Sequence, residues 1–389
     1  MFASRLALLV AGGAFCATAS AAPGIRVEPF GVGADGQPVE KVVLENQRGM
    51  RLAYIDRGAT LVGVDVADRR GKRRNVLLSL PDLASYERSK RQYAGIIGRY
   101  AGRIGGARYT LDGKTVQLIP FRYSPAFTLH GGPNGYETRL RRRQDFADAE
   151  SIGSIYRLHS PDGDQNFPGA LDISVTYRLL RKRDEFQIEY GATTDAPTVV
   201  NLTNHAYFNL AGAATADLST HRFQIDADRY AVTDANRVPT GVLAGVAGTP
   251  LDFRRPASIA ERLRAPIAPL IGPSGYDHVL VFARGAGAYR KVAVIDDTAS
   301  GRRMEVRTTE PSVVLYSAGG FDGKEIGSEG VGYRRHASFA FETQHLPDSP
   351  NHPAFPTTAL YPGQRLHSLT SFRFSTVGRR DQGRDQERN

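Results

Sequence analysis

Residues 199–210 read VVNLTNHAYFNL. β-Branched and aromatic side chains dominate the stretch, as they do in strands, and a strand sends successive side chains to opposite faces. The even positions, Val200, Leu202, Asn204, Ala206, Phe208 and Leu210, form a mostly apolar row. The odd positions, Val199, Asn201, Thr203, His205, Tyr207 and Asn209, are nearly all polar or amphipathic. A row turned to plain solvent favours Lys, Glu, Arg and Thr, whereas Asn, His and Tyr suit a surface that holds a hydrogen-bonding ligand. The stretch therefore predicts a strand with one face on a core and the other on a site. Asn204, alone on the apolar face, is expected to satisfy buried backbone groups.

Outward from this stretch, hairpin signals recur. Ala107–Leu118 is two alternating runs around Asp112-Gly113, a strong two-residue turn mark. Strands are also predicted at 51–54, 60–66, 171–180, 186–190, 279–282, 291–296, 304–308, 312–316 and 338–343. Helical signals are confined to 81–89 and to 256–263, which opens on a proline suited to a first helical turn. No linker or repeat divides the chain. With 41 Gly and 22 Pro to punctuate short strands, the pattern predicts one all-β domain, a large antiparallel β-sandwich, over residues 22–376.

The chain ends are read separately. MFASRLALLVAGGAFCATASAAPG carries Arg5, an apolar run from Leu6 and the small residues Ala19-Ser20-Ala21. That is the layout of a secretory signal peptide, 1–21, with an apolar run too short to remain as a membrane anchor. A periplasmic or secreted protein is the expectation. Cys16 could instead suggest lipoprotein processing, but bulky Phe15 before it argues otherwise. Cys16 is the only cysteine, so the mature chain would have no disulfide, thiolate nucleophile or Cys-ligated metal. The tail 377–389 has no apolar anchor beyond its start and reads as a disordered charged segment. Net charge is +10 from 50 Lys and Arg against 40 Asp and Glu. Its runs, 69–74, 139–143 and 181–183, read as solvated loop or edge charge, and no nucleic-acid motif accompanies them.

Four further stretches share the character of 199–210. Gly98-Arg99-Tyr100-Ala101-Gly102-Arg103 sets two arginines among small residues, and Leu129-His130-Gly131-Gly132 sets a histidine before two glycines that permit close approach. Tyr276-Asp277-His278 precedes an apolar run. Phe339-Ala340-Phe341-Glu342-Thr343-Gln344 carries a carboxylate inside an apolar strand. A buried carboxylate needs partners or takes a raised pKa, which makes Glu342 a candidate general base. Taken alone, Asp277 reads equally as a turn former, and Arg103 as one half of a structural ion pair.

Together, GRYAGRI, LHGG, NLTNHAYFNL, YDH and FETQHLPDSPNHPAFPTTALYPGQ resemble the aldose 1-epimerases, also called galactose mutarotases, in that family's order from about Arg26 to Phe374. The resemblance implies a galactose mutarotase-like β-supersandwich with an open carbohydrate cleft, and interconversion of α and β anomers of free aldohexoses. It implies Glu342 as general base and His205 as general acid, with Arg103, His130 and Asp277 holding the sugar. Asn201, Thr203, Tyr207 and Arg99 would shape or support the cleft. It implies no metal or cofactor, a monosaccharide as the only partner, and a monomer or homodimer.

Two departures stand out. Gly102 occupies a position where the family often has Asn, and Val314 one where many members have a sugar-contacting Gln. Both remove hydrogen-bonding groups and spare the acid–base pair. A non-catalytic carbohydrate-binding protein on the same fold is the alternative; it would have no need of Glu342 and His205 together. A hexose-6-phosphate epimerase would want basic residues at the cleft, and a glycoside hydrolase a second carboxylate beside Glu342.

Overall fold

The computed structural model describes residues 24–264 and 274–378. The signal-peptide expectation for 1–21 and most of the 377–389 tail lie outside those residues. At the tail's start, Val377 is buried and its N–H donates to the carbonyl of Gly301.

Three antiparallel sheets carry the architecture, and only two short α-helices occur among the described residues, Leu83–Arg88 and Ile259–Arg264. The largest sheet has nine strands in the order Arg142–Ala147, Ser151–Ser160, Leu171–Leu180, Glu185–Thr194, Leu366–Thr376, Arg302–Thr308, Arg290–Asp297, His221–Ile225 and Ala257–Ser258. A six-stranded sheet runs Tyr207–Phe208, Phe339–Gln344, Ser312–Tyr316, Asp277–Phe282, Ala227–Thr233 and Pro239–Gly245. A five-stranded meander covers residues 25 to 75. One buried cluster joins side chains of all three sheets, among them Leu52, Tyr177, Phe186, Phe223, Leu315, Phe339 and Phe372. The chain is thus all-β, and the predicted hairpin is present, with Arg108–Leu111 and Lys114–Gln117 paired across an Asp112-Gly113 turn at φ 50° and 76°. Pro256 does not open a helix: Ala257–Ser258 first pairs with Arg222 and Phe223 as an edge strand.

The 199–210 stretch departs from its expected form. It is not one strand but three two-residue pieces with three different partners. Thr198–Val199 pairs with Ala359–Leu360, Thr203–Asn204 with Ile96–Ile97, and Tyr207–Phe208 with Phe339 and Ala340. Every residue from 199 to 210 is buried. Polarity alternates because one side meets the core, while the other carries His205 and Tyr207 into a cleft and sets Asn201, Thr203 and Asn209 on buried backbone carbonyls. Asn204 acts as expected, donating to the carbonyl of Ala94 at 2.7 Å and to Tyr177 Oη at 3.2 Å.

Candidate active site

The six-stranded sheet supplies the floor. Residues directly opposed in an antiparallel pair share a face, as do residues two apart along a strand. The register Asp277↔Tyr316↔Ala340 and Val279↔Val314↔Glu342 therefore sets Asp277, Val279, Val314, Tyr316 and Glu342 on one face. The opposite face carries Leu280, Val313, Leu315, Phe339 and Phe341 into the core. This alternation places a carboxylate in an apolar strand and still points it into a cleft.

The walls come from loops. His205 is fixed by its backbone, its N–H donating to Gly95 O and its carbonyl accepting from Ala94 N. Its ring packs against Tyr207 at 4.9 Å and edge-on to His130 at 5.6 Å. Gly102 N–H donates to His130 Nδ1 at 3.2 Å, which leaves Nε2 as the proton-bearing nitrogen of neutral His130. Gly131, at φ 81°, lies so close to the Gly98 carbonyl that a Cβ there would stand 2.4 Å from its oxygen. This is the close approach that the glycines after His130 serve.

The cleft has a volume of about 370 Å³, and Arg103, His130, His205, Asp277 and Glu342 all line it. His205 Nε2 is 3.4 Å from Glu342 Oε1, and both side chains are buried. Arg103 Nη2 stands 3.6 Å from Asp277 Oδ2. Burial, reinforced by Asp277, pushes the Glu342 carboxyl well above the ordinary carboxylate range, against the pull of Arg103. Burial also lowers His205 to about 4, and it lowers His130, next to His205 and Arg103, well below the usual imidazole value. Burial alone would raise Asp277, but the Arg103 and Arg237 guanidiniums hold it below its ordinary value.

Other expected residues stand around this centre. Tyr207 lines the cleft. Asn201 sits behind it, donating to the carbonyls of Ala101 and His345 and accepting from His345 N–H, which ties the Arg103 loop to the Glu342 strand. Thr203 donates to the Thr343 carbonyl. Arg99 points elsewhere: its guanidinium donates to the carbonyls of Pro168 and Gly169 at 2.9 and 2.8 Å and to Ser160 Oγ at 2.7 Å. It clamps the 160–169 loop and does not line the cleft.

Sequence reasoning missed Arg237, Lys90, Arg91, Tyr316 and Pro347, which all line the cleft. Arg237 sits at φ 61° in the turn between Ala227–Thr233 and Pro239–Gly245 and reaches Asp277 Oδ2 at 2.6 Å. Asp234-Ala235-Asn236 is a legible turn signal, but not where that turn folds. The departures also gain a physical setting. Val314 lies directly opposite Glu342, and a Cβ on Gly102 would stand 2.5 Å from Pro347 Cγ.

This architecture matches solved structures over most of the chain. A galactose 1-epimerase from Lactobacillus acidophilus aligns with a TM-score of 0.79 at 25% identity, over 91% of this chain and 99% of its own. An aldose epimerase homologue from C. elegans aligns with a TM-score of 0.76 at 28% identity, over 86% and 98%. Fold and cleft together define a galactose mutarotase-like β-sandwich. The sequence gives the finer result. The aldose 1-epimerase family model matches residues 40–373. The aldose 1-epimerase of Escherichia coli is 38% identical over 87% of this chain and 96% of its own, and the galactose mutarotase of Rattus norvegicus 36% over 88% and 96%. The chain belongs to the aldose 1-epimerase family.

Proposed function

We propose that this chain interconverts the α and β anomers of free aldohexoses such as galactose and glucose, with Glu342 as general base and His205 as general acid. The observation that carries the reading is the 3.4 Å contact between Glu342 Oε1 and His205 Nε2 on the floor of a polar cleft. A hemiacetal opens when one group takes the proton from the C1 hydroxyl and another protonates the ring oxygen. Arg103, Asp277 and the Nε2–H of His130 offer charged and neutral partners for the sugar hydroxyls around that pair.

The pair holds one proton in its working range. Burial favours the uncharged form of the pair, proton on Glu342 and imidazole neutral. Transfer of that proton to Nε2 gives the carboxylate–imidazolium form that opens the ring. Opening returns the pair to the uncharged form, with the aldehyde bound. Rotation about C1–C2 then presents the other carbonyl face, and closure runs the same steps backward. Both one-proton forms are thus used in every turnover. Each positioned group supplies about 10²- to 10⁴-fold, enough for a reaction that already proceeds slowly in water.

The segment 1–21 supports export, so this activity would act on sugars outside the cytoplasm. Among the described residues, no helix is long and apolar enough to cross a membrane.

Polarimetry of freshly dissolved α-D-galactose and α-D-glucose, with wild type and Glu342→Gln, tests the reading. Acceleration by wild type alone supports reaction and base together. Acceleration by both leaves the reaction and removes Glu342 from it. Sugar binding without acceleration by either would make the chain a carbohydrate-binding protein.

A further inference from the structure

A second groove, of about 510 Å³, adjoins the cleft. Lys90, Arg91, Gln92 and Leu129 line both, so the two adjoin across these four side chains. The cleft alone falls at the small end of ligand pockets, about 300–1,000 Å³. The groove therefore offers at least as much room again, opening from the place where the sugar ring is proposed to sit.

Its lining is both aromatic and cationic. Phe121 and Tyr123 line the groove, and an aromatic row links them to Arg103 of the cleft through Phe127, which is buried and lines neither. The Arg103 guanidinium lies over Phe127 at 5.3 Å, Phe127 stacks on Phe121 at 5.5 Å, and Phe121 meets Tyr123 edge-on at 5.3 Å. Tyr123 is 65% exposed, one of few large apolar side chains so placed, with Arg122 over its ring at 4.6 Å. Exposed aromatic rings of this kind offer amphipathic contact area to the C–H faces of sugars. Arg57, Arg88, Lys90 and Arg122 line the groove and, among the described residues, make no ion pair with a carboxylate; Arg88 donates only to Ser85 Oγ. Arg91 is already paired with Glu325 at 2.8 Å. Two carboxyls oppose them. Glu87 already accepts from the N–H of Ala34. Glu137 has a buried Oε2 without a partner, and burial pushes its carboxyl up to about 7, so it opposes an anion only in part at neutral pH. Four cations without an ion pair beside an exposed aromatic ring exceed what a neutral sugar needs.

Resting on the proposed reaction at the neighbouring cleft, we propose that this groove is a subsite for a second sugar unit bearing an anionic group. The chain would then anomerise the reducing end of acidic oligosaccharides in preference to neutral ones. The carboxylate of a uronate and a sulfate ester share the required chemistry: negative oxygens that accept from guanidinium and ammonium donors. The reducing unit occupies the cleft over Glu342 and His205, and the acidic unit lies toward Arg57, Arg122 and Tyr123.

The test compares anomerisation of three reducing disaccharides of the same linkage: one with a uronate as second unit, its neutral counterpart, and the counterpart sulfated on the second unit. Linkages at the 3, 4 and 6 positions are each assayed, with galactose alongside. The expected result is a kcat/KM for at least one acidic form about tenfold above the neutral form, the size of one charge-assisted contact. That ratio falls toward one in Arg122→Gln and in Arg57→Gln. Preference for uronate, sulfate or both upholds the subsite and identifies the anion it reads. Equal kcat/KM for acidic and neutral forms at every linkage, with galactose anomerised normally, overturns it. If no sugar is anomerised, the proposed reaction has failed, and titration calorimetry with the uronate disaccharides decides the groove. Binding weakened about tenfold by Arg122→Gln upholds the subsite, and absence of binding overturns it.

Discussion

Arg237 Nη1 donates to Asp277 Oδ2 at 2.6 Å, and Arg103 Nη2 lies 3.6 Å from the same oxygen. One carboxylate oxygen thus balances two guanidiniums inside the cleft. The pairing holds Asp277 ionised and aimed, and it offsets a charge that would otherwise push Glu342 higher still. Arg237 is partly exposed, so its worth is screened. Arg237→Met is expected to raise KM for galactose severalfold and at most about tenfold, ~1.4 kcal/mol, with kcat nearly unchanged. Steady-state polarimetry separates the two constants. A fall in kcat of a hundredfold at constant KM would instead place Arg237 beside the reacting atoms.

As the proposed acid–base pair, Glu342 and His205 should behave as a unit. Glu342→Gln and His205→Asn are each expected to lower kcat by about 10²- to 10⁴-fold. The double variant should be little worse than the poorer single one, because removing either group already leaves the other without its proton partner. Circular dichroism confirms that the sandwich persists. A single variant that turns over like wild type removes that residue from the mechanism.

The pH profile follows from the same proton count. In the proposed mechanism the active pair, Glu342 and His205, carries one proton. Below about 4, where His205 titrates, a second proton enters and no base remains. Above the raised value of Glu342, the single proton leaves and no acid remains. Because the groups are close, the two limbs belong to the pair and not to either residue. After subtraction of the spontaneous rate, kcat/KM should fall about tenfold per pH unit on the acid side, centred near 4, with a second fall on the alkaline side well above the ordinary carboxylate range. An acid limb centred near 6.5 would mean that His205 titrates as if exposed, contrary to its burial.

Strands with one core face were legible almost to the residue: 171–180 and 312–316 have the bounds that alternation predicts. Glu342 was legible for the same reason, as a carboxylate breaking an apolar run. The alternation in 199–210 was real, but continuity was not, because a segment buried on both sides can take hydrogen bonds from three partners in turn. Arg237 was invisible because a hairpin tip is placed by the sheet beneath it and not by its own residues. Arg99 and Arg103 share one motif, yet only Arg103 enters the cleft. Arg103 starts a short strand paired with Leu129, while Arg99 precedes it in a loop and turns toward the carbonyls of 160–169.

Arg99 is therefore expected to matter for stability and not for sugar binding. Arg99→Ala would strand the buried carbonyls of Pro168 and Gly169, at a cost of about 3 kcal/mol, while the Ser160 hydroxyl keeps its bond to Asp164. Chemical denaturation should show a lower midpoint, while KM for galactose stays within about twofold of wild type. A tenfold rise in KM without loss of stability would restore Arg99 to the cleft.

The two departures from the family pattern make opposite demands. Val314 faces the cleft directly across from Glu342, with no backbone constraint against a longer side chain. Val314→Gln is expected to lower KM for galactose by about three- to tenfold, the worth of one added neutral hydrogen bond. Gly102 is different. At φ 80°, with Pro347 Cγ 2.5 Å from where a Cβ would lie, it cannot take a side chain unless Pro347 moves. Gly102→Asn alone should cost about 1–3 kcal/mol of stability and gain no affinity. Gly102→Asn with Pro347→Gly removes both the Cγ and the Cβ of that contact, and the pair should recover part of that stability. If Gly102→Asn alone unfolds at the wild-type midpoint, then Pro347 yields easily, and the glycine at 102 is not held in place by this contact.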